Sequence, residues 1–308
     1  MIQTSLNRHI IDPPPSVNPV FARHETFHPR FGWLKKGFDQ AEKDDRIFLA
    51  EDAPVRLGVG KNMVRSIRYW CQAFKILGGD RPTVFGENIL RDDGWDPFLE
   101  DPASLWLLHW NLLKQPCDAA AWHYTFNQFR RVEFSQHDLF VAISDYGKTL
   151  KKNLADSSIN KDVSCLLRMY VKQSRNHQVS EDSIDCPFAE LGLIHRAGDS
   201  KYYTFRVNQK RNLPPEIVVA ACLEYADFVG REQRTLAISR LLYDIGSPGM
   251  VFKLPETAVC DAIEKVARGW NAIALSEAAG LIQFSFNENP QKLADHLLGM
   301  YYNKRRVG

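Results

Sequence analysis

The chain has 308 residues, 44% hydrophobic and 25% charged, which is ordinary globular usage and excludes wholesale disorder. Lysine plus arginine number 39 against 37 aspartate plus glutamate, so a case for an acidic partner must rest on local clusters rather than on net charge. The amino terminus lacks the apolar core of a signal peptide and no run approaches the ~18 apolar residues of a membrane span, which predicts a cytoplasmic protein without membrane association. The cysteines Cys71, Cys117, Cys165, Cys186, Cys222 and Cys260 form no C-x-x-C pair and fall largely within apolar helical patterns, as buried reduced thiols do.

Residues 1 to 20, with Pro13, Pro14, Pro15 and Pro19, predict an extended lead-in. An aromatic and basic stretch follows and enters a helix near Trp33, and a short helix is expected over Asp45 to Ala50. From Asp52 to Leu77 the apolar residues Val64, Ile67, Trp70, Cys71, Phe74 and Leu77 keep the i, i+3, i+4 spacing of a helix that buries one side. That spacing assigns Lys61, Asn62, Arg65, Ser66, Arg68 and Tyr69 to the opposite side. Arg56, Lys61, Arg65, Arg68 and Lys75 face no acid between Ala53 and Gly79. Lysine and arginine neutralise phosphates and asparagine and arginine reach base edges, so Arg56, Lys61, Asn62, Arg65, Ser66, Arg68 and Tyr69 are the candidate DNA-binding residues. A solvated cationic helix face accounts for the same pattern. After Leu77 the sequence G-G-D-R-P-T-V-F-G predicts a small strand pair, and three helices followed by such a pair are the order of a winged helix-turn-helix.

The acidic run Asp92, Asp93, Asp96, Glu100 and Asp101 admits a magnesium set, but Asp101-Pro102 ahead of S-L-W-L-L-H-W-N-L-L fits carboxylates at a helix start better. The helix from Ala103 to Leu113 is apolar nearly all round and predicts a core element, with another helix after Pro116. His109 and His123 are expected to be core histidines. Ser135 with Asp138 resembles a capping box, and Ser157 or Ser158 is expected to cap the following helix. A boundary between Arg131 and Ser135 divides an N-terminal domain, residues 1–133, from a C-terminal domain, residues 134–308. Lys148, Lys151, Lys152, Lys161, Arg168, Lys172 and Arg175 form a second basic zone, which solvated helix faces explain equally well. A helix end at Gly192, strands over Leu193 to His195 and Tyr202 to Val207, and a turn between them predict a wing. G-L-I recurs from Gly280, a weak sign of an internal repeat. The segments from Leu213 and from Thr235 read as buried helices, and a last helix starts near Asn289. The fold class is therefore mainly α with small β wings (α+β): an N-terminal winged helix-turn-helix and a helical, winged-helix-like C-terminal half.

His24-Glu25-Thr26-Phe27-His28 satisfies H-E-x-x-H, but Pro19, Pro29 and Gly32 leave no long helix to carry a zinc-protease motif. The same place can supply chemistry without zinc. His24 and Glu25 offer acid–base groups and Arg30 a phosphate clamp, as cutting a phosphodiester requires. The alternative is a structural turn over Phe27, Phe31 and Trp33. L-G-V-G-K-N lacks the spacing of a nucleotide loop, and no G-x-S-x-G elbow is present.

H-E-T-F followed by R-F-G-W-L-K-K-G-F, residues 24 to 38, together with D-A-P-V-R-L-G-V-G-K-N-M-V-R-S-I-R-Y-W and L-E-D-P-A-S-L-W-L-L-H-W, resembles a bacterial family long labelled a domain of unknown function. Its members are associated with DNA phosphorothioation genes that encode phosphoadenosine-phosphosulfate-reductase-like proteins. The resemblance implies a DNA-binding, DNA-nicking endonuclease component of phosphorothioate modification and phage defence. Its implied partners are double-stranded DNA, a cysteine desulfurase and an ATP-dependent sulfur-transfer protein, with a homodimer left open. A nickase would call for a divalent metal such as magnesium or manganese. The alternative is a non-catalytic DNA-binding adaptor or transcriptional regulator of the winged-helix type. The family pattern has glycine before H-E-T-F and no histidine after it, whereas this chain has Arg23 and His28, which makes His28 a poor candidate for a shared role. The resemblance supplies no catalytic residues, so His24, Glu25 and Arg30 rest on their chemistry alone.

Overall fold

The computed structural model describes residues 19–172, 186–198, 200–230, 232–278 and 280–306. The fold is α+β, with thirteen α-helices and three small antiparallel sheets among the described residues. The proline-rich lead-in and Arg175 lie largely or wholly outside them.

The N-terminal part opens with α1 (Trp33–Lys43), a 3₁₀ turn at Ile47–Leu49, α2 (Ala53–Leu57) and α3 (Lys61–Ala73). The helix expected over Asp45 to Ala50 is only that single turn. The helix that precedes α3 is α2, started by Pro54 in its first turn and stopped by Gly58 in the left-handed region at φ 61°. On α3 the apolar stripe Val64, Ile67, Trp70 and Cys71 is buried as its spacing requires. The strand pair that follows is minimal: β1 (Leu77–Gly78) and β2 (Arg81–Pro82) hold two residues each. Pro82 has no N–H with which to extend the ladder. The chain passes at once into α4 (Val84–Leu90), whose first turn is capped by Thr83 Oγ1 accepting the Gly86 N–H at 3.0 Å. The expected N-terminal wing is thus a tight turn laid against α1 and α4.

Helix α5 (Pro102–Leu113) buries every residue from Ala103 to Leu113, and α6 (Ala120–Asn127) lies beside it in the core. The histidines here are core groups as expected. His109 Nδ1 meets the Tyr170 hydroxyl at 2.8 Å and Nε2 the Val251 carbonyl at 3.0 Å, and burial pushes its pKa down to about 3. His123 Nδ1 lies 3.2 Å from the Asn127 amide. The acidic run is occupied in ordering its own loop. Asp96 accepts the backbone N–H groups of Glu100 and Asp101 at 2.9 Å and the Ser104 hydroxyl at 2.6 Å. Asp101 caps α5 through the Ala103 N–H at 2.9 Å, and Asp92 pairs with Lys35 at 2.6 Å.

The chain then runs through β3 (Glu133–Ser135), α7 (Gln136–Thr149), α8 (Asp156–Tyr170), β4 (Ile194–Arg196) and β5 (Tyr202–Phe205). After α9 (Pro215–Val229) come β6 (Thr235–Ala237), α10 (Ile238–Tyr243), α11 (Pro248–Phe252), α12 (Glu256–Ala267), β7 (Ile273–Ala278), β8 (Leu281–Phe286) and α13 (Pro290–Arg306). Ser135 and Asp138 form a reciprocal capping box, as their spacing predicted. Ser157 and Ser158, by contrast, lie inside the first turn of α8: Ala155 holds the cap position, and Asp156 places a negative charge at the positive end of the helix. The segment from Thr235 is not helical throughout, since Thr235–Ala237 pairs with β8 before α10 begins.

The two three-stranded sheets have one plan, β3-β5-β4 and β6-β8-β7, in which a leading strand pairs with the returning strand of a later hairpin. Each sheet's leading strand follows one helix and is separated from its hairpin by further helices. The repeat is therefore real in topology, but the G-L-I phrases are not its equivalents. Gly192 precedes β4, the first hairpin strand, whereas Gly280 precedes β8, the second. No described helix is long and apolar enough to cross a membrane.

Candidate acid–base and nucleic-acid site

The H-E-x-x-H segment is a turn. The Phe27 N–H donates to the His24 carbonyl at 2.9 Å, while Glu25 and Thr26 both take positive φ, 51° and 73°. Non-glycine residues in this region cost of order 1–3 kcal/mol each and persist only where the surroundings fix them. Two anchors do so here. Trp70 Nε1 of α3 donates to the Phe27 carbonyl at 2.9 Å, and Asp162 Oδ1 of α8 accepts the Ala22 N–H at 2.9 Å.

That same Asp162 oxygen lies 2.8 Å from His24 Nε2, with His24 0% and Asp162 1% exposed. The imidazole stacks on Trp70 at 6.0 Å and meets the edge of Trp122 at 5.5 Å. Burial pushes the Asp162 carboxyl above the usual carboxylate range, while the hydrogen bond from His24 pulls the other way. His24 Nδ1 and Asp162 Oδ2 have no hydrogen-bond partner among the described residues. His24 therefore pins the loop to α8 from inside the protein. His28 is also buried, and Arg30 lies across the rings of Phe27 and Trp33 at 5.8 and 5.4 Å. Of the two acid–base candidates, Glu25 is the one that reaches solvent: its side chain is 33% exposed and its carboxylate is 3.6 Å from Arg65. His24, Glu25 and Arg30 are held by one turn but directed into different surroundings.

Along α3 the candidate DNA-binding residues separate by partner. Lys61 and Asn62 are exposed at the helix start, and Arg65 is exposed beside Glu25. Ser66 is fully buried and Tyr69 is half-buried against His24, so the polar side of the helix is narrower than its spacing implied. Arg68 is held in a two-pronged pair by Asp80, 2.7 Å on each arm, and Arg56 by Asp44 at 2.8 Å. Lys75 turns inward: its ammonium donates to the carbonyls of Asn111 and Lys114, and burial pushes its pKa down to about 8. The stretch lacks acids of its own, but folding brings Asp44, Asp80 and Glu25 to three of its cations.

Asp162 is the residue that sequence reasoning missed. It sits among cations in the chain, yet on α8 it falls in phase with Ile159, Leu166 and Met169 on the buried side. An acid at an apolar phase was the available signal. Among the described residues no group of three or more histidine, cysteine, aspartate or glutamate side chains is placed to hold a metal ion.

The architecture and the loop geometry together define a helical protein built around a buried histidine–aspartate anchor. Residues 21–302 match the family described as "Protein of unknown function (DUF4007)", and the chain belongs to that family. It is similar to a magnesium ion-bound SspB crystal structure, with 37% identity over 94% of this chain and 89% of the other and a TM-score of 0.87. A second SspB crystal structure matches with the same identity and coverage and a TM-score of 0.85. These findings agree with the phosphorothioation-associated family that the sequence resembles. No curated protein matches the chain.

Proposed function

We propose that this protein is the DNA-engaging component of a bacterial DNA phosphorothioate modification and phage-defence system, acting as a DNA-nicking endonuclease on double-stranded DNA. It would work with a cysteine desulfurase and an ATP-dependent sulfur-transfer protein. The observation that carries this reading is the 37% identity with SspB across 94% of the chain. The strained turn adds support, because it presents Glu25 beside Arg65, near the start of the helix bearing Lys61 and Asn62. Cations there would hold the backbone, and Glu25 would serve as the base or, with water, as a ligand to magnesium or manganese. His24 would act as a positioning residue through Asp162 rather than touch the scissile phosphate.

Supercoiled plasmid incubated with the protein and magnesium or manganese is expected to yield open-circular product, and Glu25→Gln to reduce it at least 10-fold while binding persists. No open-circular product with either metal would overturn the nicking part of the reading. The buried, occupied state of His24 favours a second reading, a non-catalytic DNA-binding adaptor or regulator. That reading gains if duplex binding is retained and no strand is cut.

A further inference from the structure

The basic zone around residues 148–172 is not used by the turn and α3. On α8, burial of Ile159, Asp162, Val163, Cys165, Leu166, Leu167, Met169 and Tyr170 leaves one narrow stripe facing outward. It consists of Ser157, Asn160, Lys161, Ser164 and Arg168, at the i, i+3, i+4, i+7, i+11 spacing of a single helix face. The stripe holds two cations, an amide and two hydroxyls, and no acid. Lys161 and Arg168 have no ion pair among the described residues, in contrast to Arg56 and Arg68. The other acids of the helix are Asp156 in the first turn and Asp162, which is buried on the opposite side against His24.

What surrounds this helix matters as much as its face. Ahead of it, α7 follows β3 and ends near Lys148 and Lys151, of which Lys148 is paired with Asp145 at 2.8 Å. Gln136, at the start of α7, reaches Ser164 in the middle of the stripe at 3.3 Å. Behind α8 the β4–β5 hairpin carries exposed Arg196, Lys201 and Tyr202. Helix, strand, two helices and hairpin, with the leading strand paired to the returning one, is the plan of a winged helix, in which the helix before the hairpin enters the major groove.

The second unit has the same sheet order with three helices, α10 to α12, between its leading strand and its hairpin, and provides an internal comparison. Its helix before the hairpin, α12, exposes Glu256, Asp261 and Glu264 alongside Lys265 and Arg268. A phosphate backbone would be repelled by much of that face. The sheet order is shared by the two units, and charge selects the first.

We propose that the exposed stripe of α8, flanked by the β4–β5 hairpin, is a duplex-DNA contact surface distinct from α3. Lys161 and Arg168 neutralise phosphates, while Asn160 and the two serines meet base edges. The inference rests on the reading that this protein engages DNA, and it assigns the engagement to a particular face.

The test measures affinity for a fluorescently labelled duplex by anisotropy as a function of salt. Lys161→Ala with Arg168→Ala is expected to weaken binding at least 10-fold and to make the log–log salt slope shallower by about 1.8, for two phosphates at about 0.9 each. Lys265→Ala with Arg268→Ala on α12 is expected to change neither. Thermal unfolding checks that the fold is intact, and Lys161→Gln with Arg168→Gln replaces the alanine pair if that pair unfolds. Unchanged affinity and slope in a folded α8 variant would overturn this inference and point to a protein partner for the stripe. If Lys61→Ala with Arg65→Ala then abolishes binding, the DNA-engaging reading stands while this surface falls. A parent protein with no duplex affinity overturns both.

Discussion

Lys253 ends α11 in the left-handed region at φ 55°, and its side chain turns into the protein. Its ammonium donates to the Phe126 carbonyl at 2.5 Å and lies 4.5 Å from the centre of the Phe205 ring. Burial, with smaller repulsion from Arg130 and Lys210, pushes its pKa down to about 7. Lys210, bonded to the Arg206 carbonyl and the Asn208 amide oxygen at 2.6 Å, is pushed down to about 8. A lysine in the unfolded chain titrates near 10.4. Above about pH 7, therefore, each such lysine holds a proton in the unfolded chain that it has released in the fold, and its own contribution to stability rises with pH across that window. The buried thiols of Cys71, Cys117, Cys165 and Cys222, pushed up by burial, contribute with the opposite sign. Urea unfolding at about pH 7 and pH 9 should show the parent gaining on the order of a few kcal/mol relative to Lys253→Met as pH rises, the share that Lys253 contributes. The other lysines and the buried thiols are common to both proteins and cancel in that difference. Identical slopes in parent and variant would show that the Lys253 ammonium keeps its proton in the fold.

Contacts between helices decide the placement of the candidate turn. It runs directly into α1, and α1 crosses α3 at Gly37, where an added Cβ would stand 2.6 Å from Cys71 Sγ and 2.8 Å from Ile67 Cγ2. Gly37→Ala should therefore push the two helices apart and lower stability by about 1–3 kcal/mol. Gly299 of α13 has nothing within 4 Å of the same position, so Gly299→Ala should gain about 0.5–1 kcal/mol from helix propensity alone. Thermal unfolding of the two variants, side by side, checks both signs. The elements themselves were legible where one face is buried. The stripe of α3, the all-apolar α5 and the Ser135–Asp138 box follow from local spacing. What was not legible depends on partners distant in sequence. Arg68 reads as a free cation until Asp80 folds against it, Ser66 reads as solvent-facing although the fold buries it, and β3 is too short to announce itself without β5. His24 was singled out for its chemistry, but whether it is a catalyst or an anchor depended on Asp162, which lies 138 positions away.

Across the whole molecule the hydrophobic core runs through the point between Arg131 and Ser135 without interruption. Phe74 stacks on Phe188 with ring centres 5.0 Å apart, and Trp95 stacks on Tyr302, also at 5.0 Å. Trp110 of α5 and Lys114 just after it both donate to Glu224 of α9, and Asn127 Oδ1 accepts the Gly246 N–H at 2.9 Å. The His24–Asp162 anchor crosses the same point. Separating the halves there would strip cover from Phe74, Trp95, Trp106 and Trp110. A buried side chain of this size loses roughly 1.5–3 kcal/mol on exposure, so several together match the 5–15 kcal/mol by which a domain is stable. A fragment of residues 1–133 is accordingly expected to lack near-ultraviolet circular dichroism and dispersed amide resonances. The full chain should unfold in one transition reported alike by tryptophan fluorescence and far-ultraviolet signal. A folded fragment would show that the turn keeps its shape without Asp162. An unfolded one means that the chain positions Glu25 only when both halves are in place, so the candidate site is a property of the assembled molecule and not of its N-terminal part.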